Sequence, residues 1–96
     1  MILVRMVFNA KQGKIRELVD DFKRMTGNGP NRPVLLTDLS GPMNTLVMEG
    51  RHDSLAAYEK WRTEMFSSPE MQETQRQNPE PMFDSGSIEF YTIEQA

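Results

Sequence analysis

The order in which β-rich apolar runs and helically spaced apolar residues follow one another constrains this chain more than any motif. No segment can bury one face of a strand and one stripe of a helix with the same spacing. Ile2, Val4, Met6 and Phe8 alternate with Leu3, Arg5, Val7 and Asn9. A strand is predicted over 2–8, with its even positions toward the drier layer under the helices. Ile15, Leu18, Val19, Phe22 and Met25 then form one helical stripe within 14–25; Glu17, Asp20, Asp21 and Arg24 fill the other face. Gly27 and Gly29 end that helix, and 27–33 is a loop rich in Gly, Asn and Pro. Val34 to Leu39 and Thr45 to Arg51 read as a hairpin turned through 40–44. Asp53 or Ser54 caps a helix running to Phe66, with Leu55, Tyr58, Trp61 and Met65 as its seam. Ser67 with Glu70 fits a capping box for a short polar helix from Pro69 to Arg76. A loop over 77–85 leads to a last strand, Ser87 to Ile93.

The resulting order, β-α-β-β-α-(α)-β, is the ferredoxin-like split βαβ arrangement, an α+β fold. Right-handed crossovers place the helices on one face of an antiparallel four-stranded sheet. The other face is left bare, carrying Val7, Val47, Tyr91 and Ile93 beside Arg5, Glu49 and Glu89. An exposed apolar sheet face predicts an interface, and a second copy related by a two-fold axis is the most economical partner. A homodimer is therefore expected, with Arg5, Val7, Glu49 and Tyr91 in the dimer face. Arg5 and Glu49 fall on the two central strands, read as parallel neighbours. They are expected to pair and fix the register of the dimer.

Composition narrows the function classes. Ninety-six residues make one domain, 1–96, with a thin core. Net charge is −3, from 11 basic and 14 acidic residues. The basic residues are scattered, so the footprint of a nucleic-acid binder is missing. There is no cysteine, which excludes disulfides, thiol catalysis and cysteine-built zinc sites. One histidine and no helical histidine pair imply no metal site. The segment Gly27-Asn28-Gly29-Pro30 matches no phosphate-binding loop. The apolar start is too short for a signal peptide, and no apolar run reaches membrane-spanning length. Neither a cofactor nor a membrane is expected, and the cytoplasm is the expected compartment.

The eight methionines are the main chemical peculiarity. Met is flexible and polarizable, and suits adaptable apolar surfaces as well as gaps in a core. Met6, Met48, Met65 and Met71 are read as lining an apolar cleft between helices and sheet, with Trp61. Trp61 also has the plainer reading of a core aromatic. His52, before the second helix, has a side chain suited to proton transfer, although a lone histidine there is more often a surface residue. The Tyr58 and Tyr91 phenols can donate hydrogen bonds to a substrate oxygen, or serve structure alone.

The order of elements and the segment Asp53-Ser-Leu-Ala-Ala-Tyr-Glu-Lys-Trp61, continuing to Glu70, resemble the dimeric α/β-barrel superfamily, in its NIPSNAP-like and antibiotic-biosynthesis-monooxygenase-like branches. The ending, Ser87 to Glu94, is similar to the final strand of those proteins. The resemblance spans nearly the whole chain and implies a sheet-to-sheet dimeric α/β barrel. It specifies fold better than chemistry, since members include cofactor-free oxygenases, heme-degrading enzymes and ligand binders. Heme-degrading members add an asparagine on the first strand and a histidine about ten residues after the helical tryptophan. Those places fall on Met6 and Met71 here, which argues against heme degradation. The first functional expectation is a binder of a small hydrophobic or aromatic molecule. One alternative is a cofactor-independent monooxygenase acting on an aromatic polyketide-like substrate, with Tyr58, Asn9 and Trp61 as its working residues and His52 as a weaker candidate. The other is a ligand-free interaction or stress-associated module.

Overall fold

The elements follow the expected order: β1 (Ile2–Ala10), α1 (Ile15–Thr26), β2 (Val34–Thr37), β3 (Thr45–His52), α2 (Leu55–Phe66), α3 (Pro69–Gln77) and β4 (Phe83–Thr92). The computed structural model describes residues 1–27, 29, 32–77 and 80–96. The loops expected over 27–33 and 77–85 therefore lie partly outside the described residues. The strands form one antiparallel four-stranded sheet in the order β2-β3-β1-β4. This is the ferredoxin-like layout, with the helices on one face.

Register follows from alternation along β1. Val4 and Met6 are buried beneath the helices, whereas Arg5 and Val7 turn to the opposite face. Met6 pairs with Met48 on one side and Ile88 on the other. Arg5 lies opposite Glu49 across β1 and β3, which run antiparallel. The expected parallel pairing of these strands is corrected: a hairpin joins β2 to β3, so β3 must run against β1 once the βαβ crossover has made β2 parallel to it.

Local chemistry explains most element ends. Ser54 is the cap of α2, its Oγ accepting from the Ala57 N–H at 3.1 Å. Gly27 closes α1 at φ 68°, a left-handed backbone that favours glycine. Ser68, not Ser67, caps α3. Its Oγ accepts from the Met71 N–H at 3.2 Å, while the Ser67 hydroxyl donates back to the Thr63 carbonyl. β2 stops at Thr37, short of Leu39. Asp38 closes the hairpin there by accepting the Thr45 N–H through Oδ1 at 2.9 Å.

β4 starts at Phe83, earlier than the expected Ser87. Asp84, Ser85 and Gly86 read locally as turn residues, but pairing with β1 overrides that preference. The Phe83 ring packs edge-on against Phe8, with centroids 5.0 Å apart. Glycine is required at position 86 because a Cβ there would stand 2.8 Å from the Val7 carbonyl oxygen.

The buried residues form two clusters. One holds Val4, Met6, Met48 and Tyr58; the other holds Ala10, Leu18, Val19 and Leu46. Phe8, Phe22 and Leu35 pack against both. Leu46 is fully buried. Truncation to alanine should leave a cavity as well as lose transfer free energy. Leu46→Ala is expected to lower unfolding stability by about 2–5 kcal/mol in urea titration, with the m-value unchanged.

Candidate functional site

The helices lean on β3 and leave the helix-side positions of β4 only partly covered. Ile88 and Phe90, on that side of β4, remain 47% and 49% exposed. Between this uncovered strand and the helices opens a cleft of about 610 Å³. That volume lies in the range of small-molecule sites. Buried Met6, Met48, Leu18 and Met71 line it, with half-buried Phe8, Phe22, Met65 and Phe83. Exposed Arg62, Phe66, Gln75, Glu80 and Ile88 lie toward solvent. The four methionines singled out in the sequence thus meet on one cleft, together with Met25 and Met82.

A charged network holds the side of this cleft. Asp21 is only 6% exposed, although its position on the polar side of α1 suggested a solvated residue. Arg24 explains the burial: its guanidinium lies 2.6 Å from Asp21 Oδ1 and donates to Thr74 Oγ1 at 3.0 Å. The network ties α1 to α3. Helical spacing along α1 could have shown Phe22 and Leu18 as cleft residues. It could not show Asp21 or Thr74, which become wall residues only because α3 packs there.

Trp61 is not among the residues lining the cleft. It lines a hollow of about 10 Å³ with His52, Tyr58, Gly50 and Pro33, and Met6 and Met48 line both this hollow and the cleft. The reason is position along α2: Trp61 lies one helical turn before Met65, about 6 Å along the axis, and beside the end of β3. His52 packs edge-on against Tyr58 at 5.4 Å and lies 5.5 Å from the Trp61 ring, centroid to centroid. The Tyr58 hydroxyl is buried with no hydrogen-bond partner among the described residues. The hollow is at the lower limit of room for one water molecule. Burial pushes the Tyr58 phenol up and the His52 imidazole down, with Asp53 opposing the latter shift.

Asn9 lies on the opposite face of the sheet, where its Nδ2 donates to Ser85 Oγ at 2.9 Å. Asn9, Tyr58 and Trp61 therefore do not converge on the cleft. That face also carries the remaining residues singled out in the sequence. Arg5 Nε donates to Glu49 Oε2 at 2.7 Å, and the Arg5 guanidinium lies 5.8 Å from the centre of the Tyr91 ring. The Tyr91 hydroxyl donates to Glu89. Hydrogen bonding to Glu49 raises the Arg5 pKa further, and the bond to Glu89 raises that of Tyr91. Val7 lies directly opposite Val47. The described residues contain no group of three His, Cys, Asp or Glu side chains placed to hold a metal ion. No helix among them is long and apolar enough to cross a membrane.

No protein-family model and no curated protein sequence matches the chain. Solved structures do match it in fold. A NIPSNAP domain protein from Burkholderia xenovorans aligns over 96% of this chain and 93% of its own, at 18% identity and TM-score 0.75. A protein from Deinococcus radiodurans, named as an antibiotic biosynthesis monooxygenase, aligns over 100% and 95%, at 15% identity and TM-score 0.70. A mutant of MhuD, solved with two manganese protoporphyrin IX bound per active site, aligns over 100% and 97%, at 14% identity and TM-score 0.72. Likeness at these identities establishes the fold, which is the one these three proteins share with this chain.

The lowered His52 pKa has a definite consequence for stability. The unfolded chain binds a proton at His52 more readily than the folded one. The stability from His52 is therefore full above its unfolded pKa of about 6.5 and is lost as pH falls through the lower folded value. The melting temperature should decline between about pH 7 and pH 5, and the decline should be shallower in His52→Gln. Melting curves followed by Trp61 fluorescence would check this.

Proposed function

We propose that this chain, sharing its fold with NIPSNAP-domain and monooxygenase-like proteins, binds a small apolar molecule between its helices and sheet. The single observation that carries this reading is the cleft of about 610 Å³ whose inner surface is methionine, phenylalanine and leucine. A core of 96 residues gains by closing such a space, since unfilled apolar volume costs stability. Methionine thioethers adapt to ligands of varied shape and make favourable contacts with aromatic rings. Among the described residues, the candidate acid–base groups His52, Tyr58 and Asn9 do not line the cleft. Asp21 is engaged by Arg24, and Asn9 lies across the sheet.

The MhuD neighbour carries two manganese protoporphyrin IX per active site on this fold. The residues here do not fit the heme-degrading pattern. His52, the one histidine, lines the hollow rather than the cleft, and Met71 stands where that pattern calls for imidazole.

The proposal includes a homodimer joined through the bare sheet face. Val34, Leu36 and Tyr91 on that face are 57%, 42% and 46% exposed in the single chain. They surround the Arg5–Glu49 pair. The pair itself is part-exposed, at 41% and 22% for the two side chains. In the isolated chain it contributes at most about 1 kcal/mol. Covering it would remove the solvent that screens it.

Two measurements test the reading. The neutral dye N-phenyl-1-naphthylamine should brighten in the cleft. Ile88→Trp, which fills the cleft from an exposed position, should weaken the dye by about tenfold without lowering the melting temperature. A dye that does not bind would remove the ligand reading. Light scattering should give twice the 11.1 kDa chain mass, and Val47→Glu should return it to one chain. A monomer in the unaltered protein would remove the dimer.

A further inference from the structure

The cleft is chemically two-ended. Its buried end is methionine, leucine and phenylalanine, and its exposed end carries charge. Among the described residues Arg62 is the one cationic side chain that lines it. Arg62 has no carboxylate partner among those residues, whereas Arg5, Arg24 and Arg76 are each paired. The side chain is also oriented. Its guanidinium carbon lies 5.3 Å from the centre of the Phe66 ring. A cation–π contact of this kind uses no N–H donor and so leaves the guanidinium N–H groups for an acceptor.

Three of the other polar side chains of the wall, Asp21, Thr26 and Thr74, are committed, and Gln75 and Ser87 are neutral. Asp21 and Thr74 are bound by Arg24. Thr26 Oγ1 donates to the Phe22 carbonyl at 2.7 Å. Glu80 is the remaining charge toward solvent. One cation and one anion favour a headgroup of single negative charge over a phosphate, whose second charge would gain no second cation. A guanidinium edge matches the two oxygens of a carboxylate.

We propose that the cleft takes an apolar carboxylic acid, its hydrocarbon or aromatic body against the methionines and its carboxylate on the Arg62 guanidinium at the mouth. This rests on the cleft being a ligand site, and it names the ligand class. Arg62 sits one residue after Trp61 on α2 and one turn before Phe66. The same helix thus supplies part of the apolar wall, through Met65, and the charged mouth.

Displacement of N-phenyl-1-naphthylamine by decanoate, decanol and decylamine tests the assignment, since the three share a chain and differ only in head. Decanoate is expected to displace the dye at a concentration about fivefold lower than decanol, the size of a favourable but part-exposed ion pair. Decylamine should be weaker than both. The advantage of decanoate should shrink as salt rises. It should vanish in Arg62→Gln and persist in Arg16→Gln, which removes an exposed α1 cation outside the cleft. Equal affinity for decanoate and decanol, preference for decylamine through Glu80, or an advantage surviving in Arg62→Gln would each overturn the carboxylate assignment while leaving the apolar cleft intact. A dye that fails to bind the unaltered protein would overturn both.

Discussion

β1 is hydrogen-bonded along both edges, to β3 and to β4, so it cannot slip by one residue without turning Val4 and Met6 out of the core and Arg5 into it. Burying that unpaired charge would cost far more than the domain can supply. Both faces of the protein descend from this register. Its even positions supply the floor of the cleft through Met6 and a wall of the hollow through Val4. Its odd positions place Arg5 beside Glu49 and Val7 beside Val47 on the bare face.

The helix layer is narrower than the sheet, and this mismatch creates the cleft. α1 and α2 pack against β3, while β4 lies at the sheet edge with Ile88 and Phe90 half-exposed. α3 closes part of the gap with Met71 and Thr74. Thr74 is held to α1 through Arg24, whose other partner is the buried Asp21. A paired, hydrogen-bonded carboxylate is tolerated at such a place where an isolated one would not be. The Tyr58 hydroxyl, without a partner among the described residues, shows the contrasting case, a buried polar atom beside a hollow at the size limit for one water.

The helix residues Trp61, Met65 and Met71 divide by their place along the chain. Met65 and Met71 line the cleft, Trp61 lines the hollow with His52 and Tyr58, and Met6 and Met48 line both. Residue type and helical face suggested that all five belong together. Helical face is a statement about angle, and it does not distinguish two sites stacked along one helix. Asn9 failed to join Tyr58 for the complementary reason. Strand parity puts it on the other side of the sheet, where Ser85 accepts its hydrogen bond.

Periodicity by itself determined the element order, the face of β1 that is buried, the stripe of α1 and the layer architecture. Each of these depends on spacings of two or of three to four residues, which any reader of the chain can count. Tertiary structure alone decided where β4 begins, since Asp84 to Gly86 have turn chemistry and become strand only by pairing with β1. It alone decided that Asp21 is buried beside Arg24, whose guanidinium reaches Thr74 of α3, 50 residues further along the chain. It alone opened both the cleft and the hollow against Met6 and Met48. Such outcomes depend on distances between elements, and a local pattern carries no information about a neighbour that the chain supplies later.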